Sequence, residues 1–265
     1  MTQYNAIFRG GLVYDGSGEP PYIGDVAVDG DRISAVGPAA TLSTADNEHD
    51  ITGLAIAPGF IDAHTHDDRI VLDAPDMQPK ISQGVTTVVV GNCGISLAPV
   101  IFSGDPPAPM NLLGGREAYS FPNFKSYAAT LSKSAPAVNV AALIGHSALR
   151  LAVMDDARRR AAPGEVEAMR SLADEAMNSG ATGFSTGLFY PTNEAADANE
   201  VASIASRFAE HGGVYATHMR DEFDHVLESI DESAQTAAAA KIPLIISHHK
   251  CAGPANSGRT KEKLP

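Results

Sequence analysis

The chain has 265 residues, 44% of them hydrophobic, which is enough for a large core and suits one α/β domain with a small companion. Its 32 acidic and 19 basic residues leave a formal charge of −13, and no Lys/Arg stripe interleaved with aromatics runs through it, so no nucleic-acid surface is expected. No stretch approaches the roughly 18 apolar residues of a spanning helix, so no membrane association is expected either.

The N-terminus, MTQYNAIFRGG, lacks a basic segment followed by a long apolar run, which predicts a cytoplasmic protein. Cys93 and Cys251 lie 158 positions apart, too isolated for a disulfide framework. From residue 4 to 58, short apolar stretches alternate with turn signals, and Asp29-Gly30 between Val28 and Ile33 marks a hairpin. This segment reads as a small antiparallel β unit without helices.

From Pro58 the texture changes. Six apolar runs, GFIDAHTH, VTTVVVGNCG, VNVAALIGHS, ATGFSTGLFYP, GVYATHMRDE and IPLIISHHKC, recur between helix-like stretches such as 163 to 179, 197 to 211 and 223 to 240. That alternation predicts parallel βα units. In the stretch opened by Pro163, Val166, Met169, Leu172, Ala173 and Ala176 fall at helical spacing, and Gly180 marks its end. Residues 103 to 123, rich in Pro and Gly, read as a loop and a candidate lid. A closed barrel of this kind needs eight units. Either the sheet is open, or the chain is a fragment whose remainder closes the barrel.

Polar residues gather at the ends of these runs: His64 and His66 on the first, Cys93 on the second, His146 on the third, Tyr190 on the fourth, His218 on the fifth, and His248 and His249 on the sixth. In a parallel barrel all those ends open on one mouth, where such folds place their chemistry. Side chains two apart share a strand face, so His64 and His66 can both reach one cation at about 2.0–2.1 Å per bond. The spacing is 29 residues from His64 to Cys93 and 30 from His218 to His248, each about one βα unit. Parity groups His248 with Leu244, Ile246 and Lys250, and His249 with Ile245, Ser247 and Cys251. The thirty-residue step favours His248 as the ligand, leaving His249 packed or supporting a ligand and Cys251 a structural thiol. His146 stays open between a supporting role at the site and a polar strand end.

Taken together, PGFIDAHTHDD, GNCGISLAP, GLFYP, THMRDE and SHHK resemble the D-aminoacylases, or N-acyl-D-amino-acid deacylases, of the amidohydrolase superfamily. The resemblance runs from the N-terminal β unit to about residue 253. It implies an α/β fold in which a (β/α)8 metal-dependent hydrolase barrel carries a small β-sandwich. Residues 1–58 would be the N-terminal part of that sandwich, and 59–265 six βα units of the barrel, in a chain truncated after them. It implies zinc-dependent hydrolysis of the amide of a small-molecule N-acyl-D-amino acid. Cys93, His218 and His248 would hold one tight zinc, and His64 and His66, with Cys93 between, a possible second, weak site. Tyr190 and Lys250 would hold the substrate carboxylate.

The acid/base aspartate of that family lies beyond Pro265 by motif position, so the catalytic residue of this chain is unknown. An isolated 265-residue chain would then keep some metal affinity with little turnover. Two alternatives accompany this reading. One is a cyclic amidase of the dihydroorotase or hydantoinase type, against which GNCG stands where those enzymes bridge two metals with a carboxylated lysine. The other is an inactive, truncated metal-binding scaffold. Acyl group, D-side chain and oligomeric state are not legible.

Overall fold

The computed structural model describes residues 4–262. Two compact units divide the chain, Met1–Phe60 and Ile61–Pro265. Among the described residues no helix is long and apolar enough to cross a membrane.

The first unit is a five-stranded sheet built from β1 (Tyr4–Val13), β2 (Tyr22–Asp29), β3 (Arg32–Pro38), β4 (Ala45–Asp50) and β5 (Ala55–Ile56). The expected hairpin forms: Asp29 pairs with Arg32 across Gly30 and Asp31, and Gly30 takes a positive φ of 56° that glycine adopts without Cβ strain. The unit is not purely antiparallel. β4 and β5 return to run parallel to β1 on either side of an irregularity between Phe8 and Gly11. The sequence ADNEHD of β4 shows no apolar alternation because it is an edge strand exposed along most of its length, where polar residues discourage further pairing.

The second unit is a six-stranded sheet in the order β6 (Phe60–Asp62), β7 (Val85–Val90), β8 (Asn139–Gly145), β9 (Gly183–Gly187), β10 (Val214–His218) and β11 (Leu244–Ile246). Sequential order with parallel pairing from β7 to β11 is what successive βα units produce. Short helices α1 (Ile70–Asp73) and α2 (Gln78–Ile81) follow β6, and α3 (Phe124–Ser134), α4 (His146–Val153), α5 (Pro163–Asn178), α6 (Ala198–Ala209) and α7 (Val226–Ala240) follow in chain order.

The helix limits have local causes. Asn123 accepts a hydrogen bond from the Ser126 amide at 2.9 Å and Asp197 one from the Glu200 amide at 3.0 Å, capping α3 and α6. Pro163 opens α5 at a position where its missing N–H costs nothing, and the Glu165 carboxylate accepts from the Ala162 amide at 2.7 Å. On the strands, Val88, Val90, Ile144, Phe184 and Tyr215 join one buried cluster with Met169 and Ala173 of α5, Ile204 and Phe208 of α6, and Ala237 of α7. Burying each large side chain contributes about 1.5–3 kcal/mol, so this cluster fixes the sheet whose strand ends carry the polar groups.

The segment read as a lid is anchored instead. It holds 3-10 turns at Met110–Leu113 and Arg116–Ala118, and Met110, Tyr119 and Phe121 are buried in the core. Its prolines and glycines bend the backbone, while its apolar side chains pin it down.

Candidate metal centre

The HTH histidines follow the short β6. The Thr65 amide donates to the Val89 carbonyl at 3.1 Å, which ties this segment to β7, and the Lys80 ammonium pairs with Asp62 at 2.7 Å and Asp67 at 3.0 Å on either side of the histidines. The imidazoles of His64 and His66 stand edge to face with ring centres 5.4 Å apart. Cys93 follows β7 in a turn of left-handed residues: φ is 80° at Gly91, 55° at Cys93 and 75° at Gly94. A non-glycine residue in that region is uncommon and marks a constrained position.

The decisive contacts cross the sheet. Cys93 Sγ lies 3.3 Å from His64 Nε2 and 3.4 Å from His248 Nε2. β7 and β11 are four strands apart, and in a flat sheet that separation would be about 19 Å. The sheet is therefore curled, and the curl brings the strand ends into one mouth. His248 stands 4.5 Å from His64 and 4.8 Å from His218 between ring centres.

Among the described residues two groups of converging donors result, His64–Cys93–His248 and His218–Glu222–His248. The resemblance groups Cys93 with His218 and His248 instead, and leaves Glu222 out. His66 belongs to neither group, and its buried Nδ1 has no protein partner. Tyr190 is half-buried beside the site, its Oη 3.5 Å from His218 Nδ1. Lys250 Nζ pairs with the Glu222 carboxylate at 2.7 Å, and its side chain is 49% exposed, so it faces the open mouth.

Glu222 was not singled out from the sequence. It is buried, with Oε2 3.3 Å from His218 Nε2, four residues from that histidine in THMRDE. The only signal is the His-x-x-x-Glu spacing, which carries weight once both residues leave the strand in one turn. His146 is settled by the structure. It opens α4, is fully buried, and pairs through Nε2 with Glu200 at 2.9 Å, away from both donor groups. His248 and His249 lie past the end of β11 with φ of 64° and 41°, so strand parity does not reach them. His249 is partly buried and Cys251 partly exposed, and neither enters a donor group.

Protonation favours a cation. Burial, reinforced by the neighbouring His248, His66 and His218, pushes His64 down to about 4, and burial likewise lowers His66 and His248, so these imidazoles are neutral near pH 7. Burial would raise Glu222, but bonds from His218 and Lys250 hold it at about 2, ionised. Burial and, second, Glu222 push the Cys93 thiol up to about 12. A metal bound through Cys93 would have to displace the thiol proton. Zinc affinity is expected to rise about tenfold per pH unit from about pH 7 to about 9, with one proton released, as calorimetry in buffers of different ionisation heat would show. A slope of zero would mean that Cys93 is not the ligand.

A thiol, neutral imidazoles and one carboxylate suit zinc, whose ligands are sulfur, nitrogen and oxygen, better than magnesium, which takes oxygen. The sequence profile of the amidohydrolase family matches residues 47–262. The chain belongs to the amidohydrolase family. This amidohydrolase is 48% identical over 262 residues to a D-aminoacylase of Alcaligenes xylosoxydans xylosoxydans, covering 99% of this chain and 54% of that protein. It therefore spans about half the length of the curated relative.

A solved D-aminoacylase described by its binuclear metal center superposes with a TM-score of 0.94 at 48% identity, covering 98% of this chain and 54% of the other. An N-acyl-D-glutamate deacylase of Bordetella bronchiseptica, complexed with zinc and a phosphonate inhibitor, superposes with a TM-score of 0.92 at 39% identity, covering 99% and 55%.

Proposed function

We propose that this amidohydrolase hydrolyses the amide of N-acyl-D-amino acids with zinc, releasing a D-amino acid and a carboxylate. The observation that carries the reading is the approach of Cys93 Sγ to His64 and His248 across the curled sheet, in a chain that resembles a D-aminoacylase at 48% identity. In this reading residues 1–58 belong to a β-sandwich and 59–265 supply six units of a (β/α)8 barrel. Cys93, His218 and His248 hold one zinc tightly, and His64 and His66 line a second, weaker position that shares Cys93.

Zinc held by these residues would supply a Lewis acid for the amide carbonyl and a nucleophile available near neutral pH. The protein supplies orientation. Lys250, half exposed and already held by Glu222, offers an ammonium to the substrate carboxylate, and the Tyr190 hydroxyl offers a second donor from beside His218. Two donors at the carboxylate and the metal ligands at the amide would fix the substrate's direction across the mouth and hold the scissile bond in place. Glu222 keeps Lys250 and His218 in one arrangement while its own charge is neutralised.

The test is an assay of the full natural polypeptide against N-acetyl-D-amino acids with the L-isomers as controls, before and after chelation and zinc restoration. Turnover of D-isomers that vanishes on chelation and returns with zinc is expected. Faster turnover of L-isomers, or of dihydroorotate and hydantoins, would overturn the reading.

A further inference from the structure

We propose that Ser185, in the middle of β9, is a positioning residue that fixes the Cys93 thiol for the metal. The inference rests on the metal-holding role proposed above for Cys93. The turn that carries this cysteine is not held by strand pairing of its own. Its backbone groups are taken up from outside: the Ser185 hydroxyl accepts from the Gly94 amide at 2.9 Å and donates to the Gly91 carbonyl, so one side chain grips the turn on both sides of Cys93.

Two more groups of the turn are committed, the Gly94 carbonyl accepting from the Ser147 amide and the Asn92 carbonyl from the Ile95 amide, each at 2.9 Å. The fit is tight. A Cβ at Gly91 would lie 2.1 Å from the Leu143 carbonyl oxygen, and one at Gly187 would lie 2.3 Å from the Cys93 carbonyl oxygen.

Ser185 is fully buried. A short hydroxyl is one of the few groups that can both donate and accept from this place. Its loss leaves an N–H and a C=O in the core without partners, and they regain partners only if the turn moves. Cys93 already sits in the left-handed region, so a moving turn relaxes toward ordinary backbone angles and carries Sγ away from His64 and His248. A thiolate–zinc bond of about 2.3 Å tolerates little such drift.

β9 provides its own control. The next residue, Thr186, is also fully buried, and its hydroxyl is hydrogen-bonded to Tyr215 Oη at 3.0 Å and Thr217 Oγ1 at 2.8 Å, away from the cysteine turn. Ser185→Ala and Thr186→Val therefore each delete one buried, bonded hydroxyl from the same strand. The experiment measures zinc affinity by chelator competition, the sulfur-to-cobalt charge-transfer absorption of the cobalt-substituted protein, and thermal stability.

Both variants are expected to lose thermal stability, but only Ser185→Ala should lose zinc affinity, by about 10–100-fold as is typical when a ligand's support is removed, together with a weakened charge-transfer band. Ser185→Thr, which keeps the hydroxyl, should retain the wild-type affinity and band. Equal loss of affinity in the Ala and Val variants, no loss in Ser185→Ala, or failure of Ser185→Thr to rescue would each overturn the inference. Cys93→Ala separates the two levels: if it keeps its zinc, the reading of the site fails; if it loses zinc while Ser185→Ala does not, only the role of Ser185 fails.

Discussion

Replacing Cys93 by alanine is expected to strip the protein of its tightly held metal, with an affinity loss well beyond the roughly hundredfold that follows from disturbing a ligand's support. The thiol lies 3.4 Å from the His248 nitrogen, its partner in the proposed tight position, and 3.3 Å from that of His64 in the weaker one, so its removal takes a ligand from both. The burial that lifts its pKa to about 12 is offset only when a cation takes the proton's place. Zinc content after dialysis against a chelator checks this. Cys251→Ala is the control, because that thiol lies in neither donor group. Full zinc retention in Cys93→Ala would remove the basis for the proposed centre.

Arg150→Met is expected to cost about 3–5 kcal/mol of stability, the usual penalty for leaving one member of a buried ion pair alone. Arg150 is fully buried. It donates to Glu200 Oε1, to the Ala157 carbonyl at 2.9 Å and to the Arg159 carbonyl, while His146 reaches the same carboxylate oxygen at 2.9 Å. For a protein of this size the loss corresponds to a fall of roughly 6–20 °C in Tm. Replacing Glu200 by leucine in the same protein should recover only part of it: an apolar pair can match a buried ion pair, but His146 and the Ala157 and Arg159 carbonyls lose their partners.

The pair also sets a pH limit. Burial alone would raise the Glu200 carboxyl, but the bonds from His146 and Arg150 outweigh it and hold it below the usual range. Its contribution is thus complete above the unfolded value of about 4.3 and is lost as the pH falls below that. Denaturation followed by circular dichroism across acid pH should show a flatter acid limb in the double variant. An Arg150→Met protein as stable as wild type would mean that the network carries no net stabilisation.

The six strands of the larger unit were legible because each apolar run ends in a polar group at its own turn, a pattern local to ten residues or so. Other features depend on contacts that no local pattern encodes. The fate of His146 is decided by Glu200, 54 residues away. Glu222 escaped notice because it lies beyond β10 in a turn, where strand alternation says nothing. His248 emerged as a donor from the spacing of the strands, but parity was the wrong reason: β11 stops at Ile246 and the backbone then turns left-handed. β4 was hidden by its polar surface, and residues 103 to 123 by prolines and glycines that mask buried Met110, Tyr119 and Phe121.

The contact between Cys93 and His248 joins residues 155 positions apart. The loop it closes contains β8, β9 and β10, so the two groups are held together by the sheet between them and not by local sequence. A zinc finger folds around its metal. Here the thiol and the imidazole are brought together by the strands between them and by the core under those strands, so a chelator should empty the proposed centre without dissolving the core beneath it.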